Sequence, residues 1–302
     1  MDKTDNVCVL IPTLNEESTI GEVIKEFQEY GFSNLLVVDG KSSDSTRDIA
    51  AKSGARVIVQ SGNGKGQAVR EALDYIDTPY ILMIDGDGTY CPKDAETMLE
   101  PLRTGEVEHV IGNRFASMEN GAMSRLNYTG NTLINRAFAY IHGRELGDIL
   151  SGYRAFTRES TKKMNLDEDG FGVETELSVE CMRNDISTAV VPISYGCRPN
   201  SSDTNLRPFR DGGLIILTLY RLARMHNPLF YFGSIGFSSM IFGIIVASWV
   251  GYRWVIYSTG HEVIALFAAS VFLFGVQLVV FGLLSDLIVT LHRERMRKLD
   301  ES

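Results

Sequence analysis

Cysteine is scarce in this sequence: the 302 residues contain four, at positions 8, 91, 181 and 197. No two of them form a Cys-x-x-Cys pair, the spacing that many zinc and thiol redox sites share. We therefore expect neither a zinc knuckle nor a disulfide framework, which suits a reducing cytoplasm. The first residues also lack the basic start and apolar segment of a secretory signal, so we expect the front part of the chain to stay in the cytoplasm.

Net positive charge is missing as well, because 38 acidic residues outnumber 29 basic ones and the formal net charge is −9. This balance argues against nucleic acid as a partner, although clustered arginines or a metal ion can still attract an anionic ligand. No Walker phosphate loop is present. Gly62, Gly64 and Gly66 follow the third predicted strand rather than the first, with the wrong spacing for a dinucleotide fingerprint, which argues against a dinucleotide-dependent oxidoreductase.

Long apolar runs are present, and they are confined to the last third of the chain. Residues 228–251 contain no charged side chain, and residues 263–291 contain only Asp286. Each run exceeds the roughly 20 residues that a helix needs to cross a bilayer. The connector between them carries one basic residue, Arg253, whereas the outer flanks carry several. The positive-inside bias therefore predicts a hairpin in the cell membrane with both termini in the cytoplasm.

These features divide the chain into four predicted parts. Residues 1–209 form a cytoplasmic domain, and residues 228–291 form the transmembrane hairpin. Between them, residues 210–227 are apolar but interrupted by Arg221 and Arg224, which is typical of an amphipathic helix lying in the membrane interface. Residues 292–302 form a basic cytoplasmic tail.

The first two hundred residues alternate short apolar runs with amphipathic stretches. This rhythm predicts an α/β fold with a mostly parallel sheet covered by helices, whose ligands lie beyond the carboxyl ends of the strands. Strands are predicted at 7–12, 35–39, 56–60, 80–85, 109–112, 151–157 and 189–195, and helices from 15 onward and at 42–52, 64–76, 92–102, 127–142 and 173–183.

Acidic residues collect at the predicted strand ends. Asp39 ends the second strand, and Asp85 and Asp87 follow the fourth with glycine between them. Two carboxylates one residue apart can share a hard divalent cation that is also bound by substrate phosphates. The alternative is an acidic surface turn without a ligand. The turn alone does not decide between the two.

Short motifs follow the predicted strands in order. The first series is Pro12-Thr13-Leu14-Asn15-Glu16, Val38-Asp39, Gly64-Lys65-Gly66 and Asp85-Gly86-Asp87. The second series is Gly112-Asn113-Arg114, Asp148 ahead of Ser151-Gly152-Tyr153-Arg154, and Val191-Pro192-Ile193 ahead of Arg198. Together they resemble the family 2 glycosyltransferases, which implies a GT-A-like nucleotide-binding sheet. The second series resembles the dolichyl-phosphate mannose synthase branch, and in particular the archaeal enzymes that load the first sugar onto dolichyl phosphate for protein N-glycosylation.

The resemblance implies roles for residues on the side of the nucleotide-sugar donor. Pro12, Asn15 and Glu16 would line the site of the base and ribose, and Asp39 would contact either of them. Lys65 would contact the donor, although a plain lysine at a helix start is the simpler alternative. Two further residues, Asp85 and Asp87, would hold Mg²⁺ or Mn²⁺ together with the donor diphosphate.

The resemblance also implies a catalytic and acceptor side. Arg114 would face phosphate, and Arg198 would cover the donor diphosphate. Ser151 and Arg154 would receive the phosphate of a dolichyl or other polyprenyl lipid. These four, with Asp87, are the predicted catalytic residues. For a sugar or acceptor contact on the helix at 173–183, Glu174 and Glu176 remain alternatives.

The expected reaction is a single in-line displacement with inversion at the sugar. A phosphate monoester has a second pKa of about 6 and is largely dianionic at neutral pH, so alignment and stabilisation of the leaving group suffice. Gly40 and the pair Thr89-Tyr90 depart from the mannose synthase pattern, as does Asn205, where a lysine is often found. These departures favour UDP-N-acetylglucosamine or UDP-glucose over the alternative donor, GDP-mannose.

The sequence argues against two other functions. A processive polysaccharide synthase is disfavoured because Arg253-Trp254 lacks the preceding glutamine of the Gln-x-x-Arg-Trp motif. An inactive membrane scaffold with the same fold is disfavoured by the retained acidic turn and arginines.

Overall fold

The chain forms two compact units, Met1–Leu219 and Tyr220–Ser302. The structure is a computed structural model, and it describes residues 4–167, 172–196 and 227–300 with five single positions between 213 and 223. Arg198 lies outside the described residues, and so does nearly all of the interfacial helix predicted at 210–227.

The first unit is built on a seven-stranded sheet with the order β3-β2-β1-β4-β6-β5-β7. Every strand pair is parallel except those of β6, which runs antiparallel to both β4 and β5. The predicted mostly parallel α/β sheet is therefore confirmed. The strands are β1 (Val7–Thr13), β2 (Leu35–Asp39), β3 (Arg56–Val59), β4 (Tyr80–Met83), β5 (His109–Met118), β6 (Arg154–Thr157) and β7 (Thr188–Tyr195).

Helices cover both faces of this sheet. Successive side chains of a strand point to opposite faces, so Val9 and Ile11 pack into one core with α1 and α4, whereas Cys8 and Leu10 pack into the other with α3 and α7. Burial on both faces explains why the strands read as continuous apolar runs. The helices are α1 (Ile20–Glu29), α2 (Thr46–Lys52), α3 (Lys65–Leu73), α4 (Ala95–Arg103), α5 (Arg125–His142), α6 (Arg158–Lys163) and α7 (Val173–Arg183).

Several predicted boundaries were wrong where polar residues follow a strand. The first helix begins at Ile20 rather than near residue 15, because Asn15 has a left-handed backbone with a φ of 57°. The second helix begins at Thr46 rather than at Ser42. In the second half, β5 continues to Met118, well beyond the predicted 112. The strand predicted from residue 151 begins only at position 154.

The second unit is dominated by two long helices, α8 (Pro228–Tyr257) and α9 (Glu262–Asp300). Helix α8 and the segment Glu262–Leu291 of α9 are each 30 residues long, and each contains an 18-residue window of high mean hydropathy, 1.9 in α8 and 2.6 in α9. By length and composition both helices could span a membrane, as the apolar runs predict.

Small residues line the contact between these two helices. A Cβ added to Gly236 would lie 2.6 Å from the carbonyl oxygen of Gly275, and one added to Gly243 would lie 2.9 Å from that of Ala268. Such residues let two backbones approach closely in a membrane. A Cβ added to Gly233 meets nothing within 4 Å, although the backbone nitrogen of Gly233 lies 3.5 Å from a Cβ built on Gly282.

Candidate active site

The loops after β1 and β2 are joined by short polar side chains. The backbone N–H of Asn15 donates to Ser42 Oγ at 2.9 Å, and the Asn15 Oδ1 atom accepts from the N–H of Ser43 at 2.9 Å. Glu16 is buried, and its N–H donates to Thr46 Oγ1 at 2.8 Å. These bonds hold the predicted donor residues of the two loops beside each other.

Asp39 lies at the end of β2 with no exposed surface. Its Oδ1 accepts from the Ser42 N–H at 2.9 Å, and its Oδ2 accepts from the Ser42 hydroxyl at 2.5 Å. The Nε atom of Arg47 is 3.7 Å from Oδ1. Pro12 is the register partner of Val38, one residue ahead of Asp39. The structure thus brings Pro12, Asn15, Glu16 and Asp39 to one end of the sheet.

The acidic turn follows β4 and is fixed by buried threonines. Thr19 donates its hydroxyl to the carbonyl oxygen of Gly86 at 2.7 Å, and a Cβ added to Gly86 would lie 2.7 Å from Thr13 Cγ2. Asp87 Oδ1 accepts from the N–H of Thr89 at 3.1 Å and from its hydroxyl at 2.6 Å. Only glycine fits at position 86 without displacing Thr13.

Lys65 connects the acidic turn to α7. It is the first residue of α3, and its Nζ contacts the carboxylate of Asp85 and lies 2.5 Å from Glu174 Oε1. Burial alone would lower the pKa of Lys65, but the two carboxylates raise it above its usual value, so the ammonium group stays charged. Burial also raises the pKa of Asp85, with Lys65 opposing and Asp87 and Glu174 adding to the shift.

Glu174 and Glu176, the two alternatives for a sugar or acceptor contact, have different surroundings in the structure. Glu174 faces Lys65, whereas Glu176 Oε1 accepts from the N–H of Asp167 at 2.8 Å. Glu174 therefore belongs to the site. Sequence alone could not separate them because both fall in the buried first turn of α7.

The donor atoms of the acidic turn fit a hard divalent cation shared with a substrate. Within the described residues, no three or more His, Cys, Asp or Glu side chains gather as a metal-binding group. Asp85 and Asp87 offer carboxylate oxygens from one turn, which suits Mg²⁺ or Mn²⁺ completed by diphosphate oxygens and water. A closed cage made only of protein ligands does not fit this donor set.

Arg114, on β5, forms a buried ion pair with Asp148. Its Nε and Nη2 atoms are 2.7 and 2.8 Å from the two carboxylate oxygens, a bidentate arrangement. Its guanidinium carbon lies 5.4 Å from the ring centre of Tyr195. Burial would lower the pKa of Arg114, but Asp148 raises it well above the usual value. The predicted contact of Arg114 with phosphate stays a prediction.

Tyr90 is a buried residue close to the acidic turn, and the motifs in the sequence assigned it no role in the site. Its hydroxyl accepts from the N–H of Gly152 at 2.9 Å, and its ring meets Tyr153 and Tyr195 edge to face at 5.5 and 5.2 Å. A Cβ on Gly152 would overlap the carboxylate of Asp85. The backbone of Gly152 is therefore pressed between the acidic turn and Tyr90.

Ser151 and Arg154 are fully buried in this structure. Arg154 donates to the carbonyl oxygens of Ile149 and Ser151 at 2.7 and 3.0 Å and to Ser178 Oγ at 2.9 Å. The direct contact with an acceptor phosphate predicted for Ser151 and Arg154 is at odds with these positions, because the donors of Arg154 are directed at protein atoms.

Known proteins resemble the chain in sequence. The family model described as glycosyl transferase family 2 matches residues 8–164. The glycosyltransferase AglJ of Haloferax volcanii is 58% identical over 302 residues, covering 100% of this chain and 99% of the relative. A dolichyl-phosphate hexose transferase of the same organism is 33% identical, covering 70% of this chain and 91% of the relative.

Solved structures resemble the fold. Glucosyl-3-phosphoglycerate synthase from Mycobacterium tuberculosis, in complex with Mn²⁺ and UDP-glucose, superposes with a TM-score of 0.59 at 26% identity, covering 72% of this chain and 78% of that one. The structure of the same enzyme with phosphoglyceric acid alone gives a TM-score of 0.57. The GT-A-like fold is thus confirmed. The chain is a glycosyltransferase and belongs to glycosyl transferase family 2.

Proposed function

We propose that this enzyme transfers one sugar from UDP-N-acetylglucosamine or UDP-glucose to dolichyl or another polyprenyl phosphate, as the first step of archaeal N-glycosylation. The observation that carries the proposal is the acidic turn Asp85-Gly86-Asp87, held beside the linked loops of β1 and β2 at the carboxyl end of the sheet. The similarity to a dolichyl-phosphate hexose transferase supports the lipid acceptor. The UDP-glucose bound by the structural neighbour supports a UDP-sugar donor.

The donor nucleoside would occupy the ends of β1 and β2. Pro12 and Glu16 would line the pocket, and Asp39 would present its fixed carboxylate to the base or ribose. The side chain of Asn15 already accepts from the N–H of Ser43, so it would act by shaping the loop around the nucleoside.

The diphosphate would lie against the acidic turn. Asp85 and Asp87 would hold Mg²⁺ or Mn²⁺, which supplies positive charge to the departing nucleoside diphosphate. Lys65 would add a second positive charge from α3, since it already contacts Asp85. Glu174, on the other side of Lys65, would contact the sugar or the acceptor.

The acceptor phosphate would approach from the side of Arg114, and Arg198 would cover the donor diphosphate. A largely dianionic phosphate needs little help from a general base, so the residues would act by alignment and by compensating charge. The proposed displacement proceeds with inversion at the sugar. Placement of the first unit and both termini in the cytoplasm would set this chemistry at the inner membrane surface, with residues 210–227 in the interface and 292–302 as a basic tail.

GDP-mannose is the alternative donor, and an inactive scaffold is the non-enzymatic alternative. Against GDP-mannose, Tyr90 fills the space beside the acidic turn with a buried ring, at a place where the sequence departs from the mannose synthases. Against a scaffold, the relatives are named as transferases and the acidic turn is retained.

The test is a panel of radiolabelled nucleotide sugars offered to the full chain with dolichyl or undecaprenyl phosphate. We expect transfer from a UDP-sugar to lipid phosphate, loss of transfer in EDTA, and recovery with Mg²⁺ or Mn²⁺. The anomeric configuration of the product, determined by NMR, should be the inverse of the donor's. Transfer from none of the sugars rejects the proposal, and preferential use of GDP-mannose selects the alternative donor.

A further inference from the structure

We propose that Arg154 is a positioning residue that fixes the segment 148–152, named here the bridging segment, and thereby aligns Arg114 with the acidic turn. The proposal rests on the proposed function for the meaning of this alignment, although its central measurement needs no substrate. It assigns Arg154 a different role from direct binding of the acceptor phosphate.

The first observation is where the guanidinium of Arg154 donates. Its Nε and Nη2 atoms bond the carbonyl oxygens of Ser151 and Ile149, both inside the bridging segment. Nη2 also bonds Ser178 Oγ, which donates in turn to the carbonyl oxygen of Glu174 on α7 at 2.9 Å. A planar fork with several fixed donors suits such a clamp, whereas the ammonium group of lysine does not reproduce it.

The second observation is what stands behind the guanidinium. The Nε2 atom of His109 lies 3.3 Å from Nη1 of Arg154, and its ring stacks on Phe156 with the centroids 4.7 Å apart. Burial and the charge of Arg154 lower the pKa of His109 well below its usual value. A neutral ring can accept from Arg154 through Nε2 while its Nδ1–H faces Cys181 Sγ at 3.0 Å. The surroundings therefore satisfy a buried charge without exposing it.

The third observation is that the two ends of the bridging segment meet different parts of the site. Asp148, at one end, holds Arg114 through two hydrogen bonds. Gly152, at the other end, lies against Asp85 and donates to Tyr90. Because the clamp bonds the carbonyls of residues between these ends, a shift of the segment would move Arg114 relative to the acidic turn.

Direct phosphate binding and positioning predict different kinetics. A phosphate ligand at position 154 would set the KM of the acceptor, and lysine would keep much of its charge–charge attraction. A clamp would set kcat through alignment, and lysine would fail to replace the fork. The donor loops of β1 and β2 are held by their own bonds, so the affinity for UDP should stay unchanged in either case.

The experiment uses the full chain in detergent with the variants Arg154→Lys and Ser178→Ala. Ser178 is buried, and Ser178→Ala removes one clamp bond without removing the charge of Arg154. Thr132→Ala is the matched control, because its hydroxyl donates to the carbonyl of Tyr128 within α5. Hydrogen–deuterium exchange, UDP affinity, and kcat and KM for the lipid phosphate are measured for each.

For Ser178→Ala we expect faster exchange of the amides of residues 148, 151 and 152, which bond within or beside the bridging segment. We expect kcat about tenfold lower, as one hydrogen bond to a charged group is worth on this order, with acceptor KM and UDP affinity within about twofold. Arg154→Lys should lower kcat more than Ser178→Ala does, because the ammonium group of lysine does not replace the guanidinium fork.

Unchanged hydrogen–deuterium exchange in the bridging segment overturns the positioning role. An acceptor KM that rises while kcat is preserved overturns it as well. If Arg154→Lys fails to fold, the exchange and kinetics of Ser178→Ala still decide. If the unmodified chain transfers no sugar but the bridging segment exchanges faster in Ser178→Ala, the proposed function is rejected and the positioning role of Arg154 is still supported.

Discussion

The two halves of the sheet hold their functional residues by different means. At the ends of β1 and β2, neutral hydroxyls and amides bond backbone groups 27–30 positions away in the chain. Around β5 and β6, buried charged side chains carry the structure, as in Arg114–Asp148 and the guanidinium of Arg154. Asp148 lies 34 positions from Arg114, and Arg154 contacts Ser178 and His109, 24 and 45 positions away. Arg154 also bonds the nearby carbonyl oxygens of Ile149 and Ser151.

This difference sets how each half should respond to substitution. Losing a neutral hydrogen bond changes the free energy of unfolding by about 0.5–1.5 kcal/mol, whereas leaving a buried charge without its partner costs about 3–5 kcal/mol. The first half should therefore tolerate change in its loops and fail mainly in donor binding. The second half should fail in folding and alignment together.

The largest effect is expected at the buried ion pair of the second half. Asp148→Asn keeps the shape of the side chain but leaves Arg114 charged and buried, so the free energy of unfolding should fall by about 3–5 kcal/mol. Unfolding in urea, followed by the fluorescence of the first unit, measures this change in the free energy of unfolding. The control Glu159→Gln removes an exposed partner of Lys162 and should leave the free energy of unfolding almost unchanged, because exposed ion pairs contribute little. Equal effects of the two variants would contradict the contrast between the halves.

The next effect concerns the acidic turn and should appear in catalysis. Asp87→Asn should lower kcat for sugar transfer by about 10²–10³-fold, because charge stabilisation of the leaving diphosphate is lost. Asp77→Asn makes the same change ahead of β4, where the side chain is 95% exposed, and should leave kcat unchanged. If Asp87→Asn keeps a rate of sugar transfer within about tenfold of that of the unmodified chain, the acidic turn has no major role in the mechanism. If the protein is an inactive scaffold, the unmodified chain itself shows no transfer.

The same contrast explains which features the sequence could predict. The continuous apolar runs and the acidic residues at strand ends are local patterns, and they predicted the sheet and the place of Asp39, Asp85 and Asp87. The burial of Arg154 depends on Ser178 and His109, which lie 24 and 45 positions away, so a motif alone suggested an exposed ligand. The choice of Glu174 over Glu176 likewise required the position of Lys65.

Tyr90 shows a second limit of prediction from the sequence. The sequence marked it as a departure from the mannose synthases, but its packing against Tyr153 and Tyr195 comes from strands that are distant in the chain. The two helices of the second unit, in contrast, could be predicted from the sequence. Their apolar length was visible in the sequence, and only the residues that bring them together, such as Gly275, needed the structure.

A moderate effect is expected where the halves meet. Gly152→Ala would push a methyl group into the carboxylate of Asp85, and such overpacking typically lowers the free energy of unfolding by about 1–3 kcal/mol. Gly130→Ala is the control, since a Cβ there meets nothing within 4 Å and alanine favours a helix interior by up to about 1 kcal/mol. Chemical denaturation compares the two. A Gly152→Ala variant as stable as Gly130→Ala would show that the halves are not in close contact at this point.

The smallest effect is expected in the loops of the first half. Ser42→Ala removes the hydroxyl that donates to Asp39 and accepts from the N–H of Asn15. The Ser42 N–H still donates to Asp39 in this variant, so we expect the affinity for UDP to fall only about fivefold, which is about 1 kcal/mol, while kcat at saturating donor stays within about twofold. Thr129→Ala removes a hydroxyl that donates to the carbonyl of Arg125 within α5, and it should change neither the UDP affinity nor kcat. Isothermal titration calorimetry with UDP measures the affinity. A fall in kcat without a loss of UDP affinity would mean that these loops serve alignment as the bridging segment does, and the division of labour between the halves would be wrong.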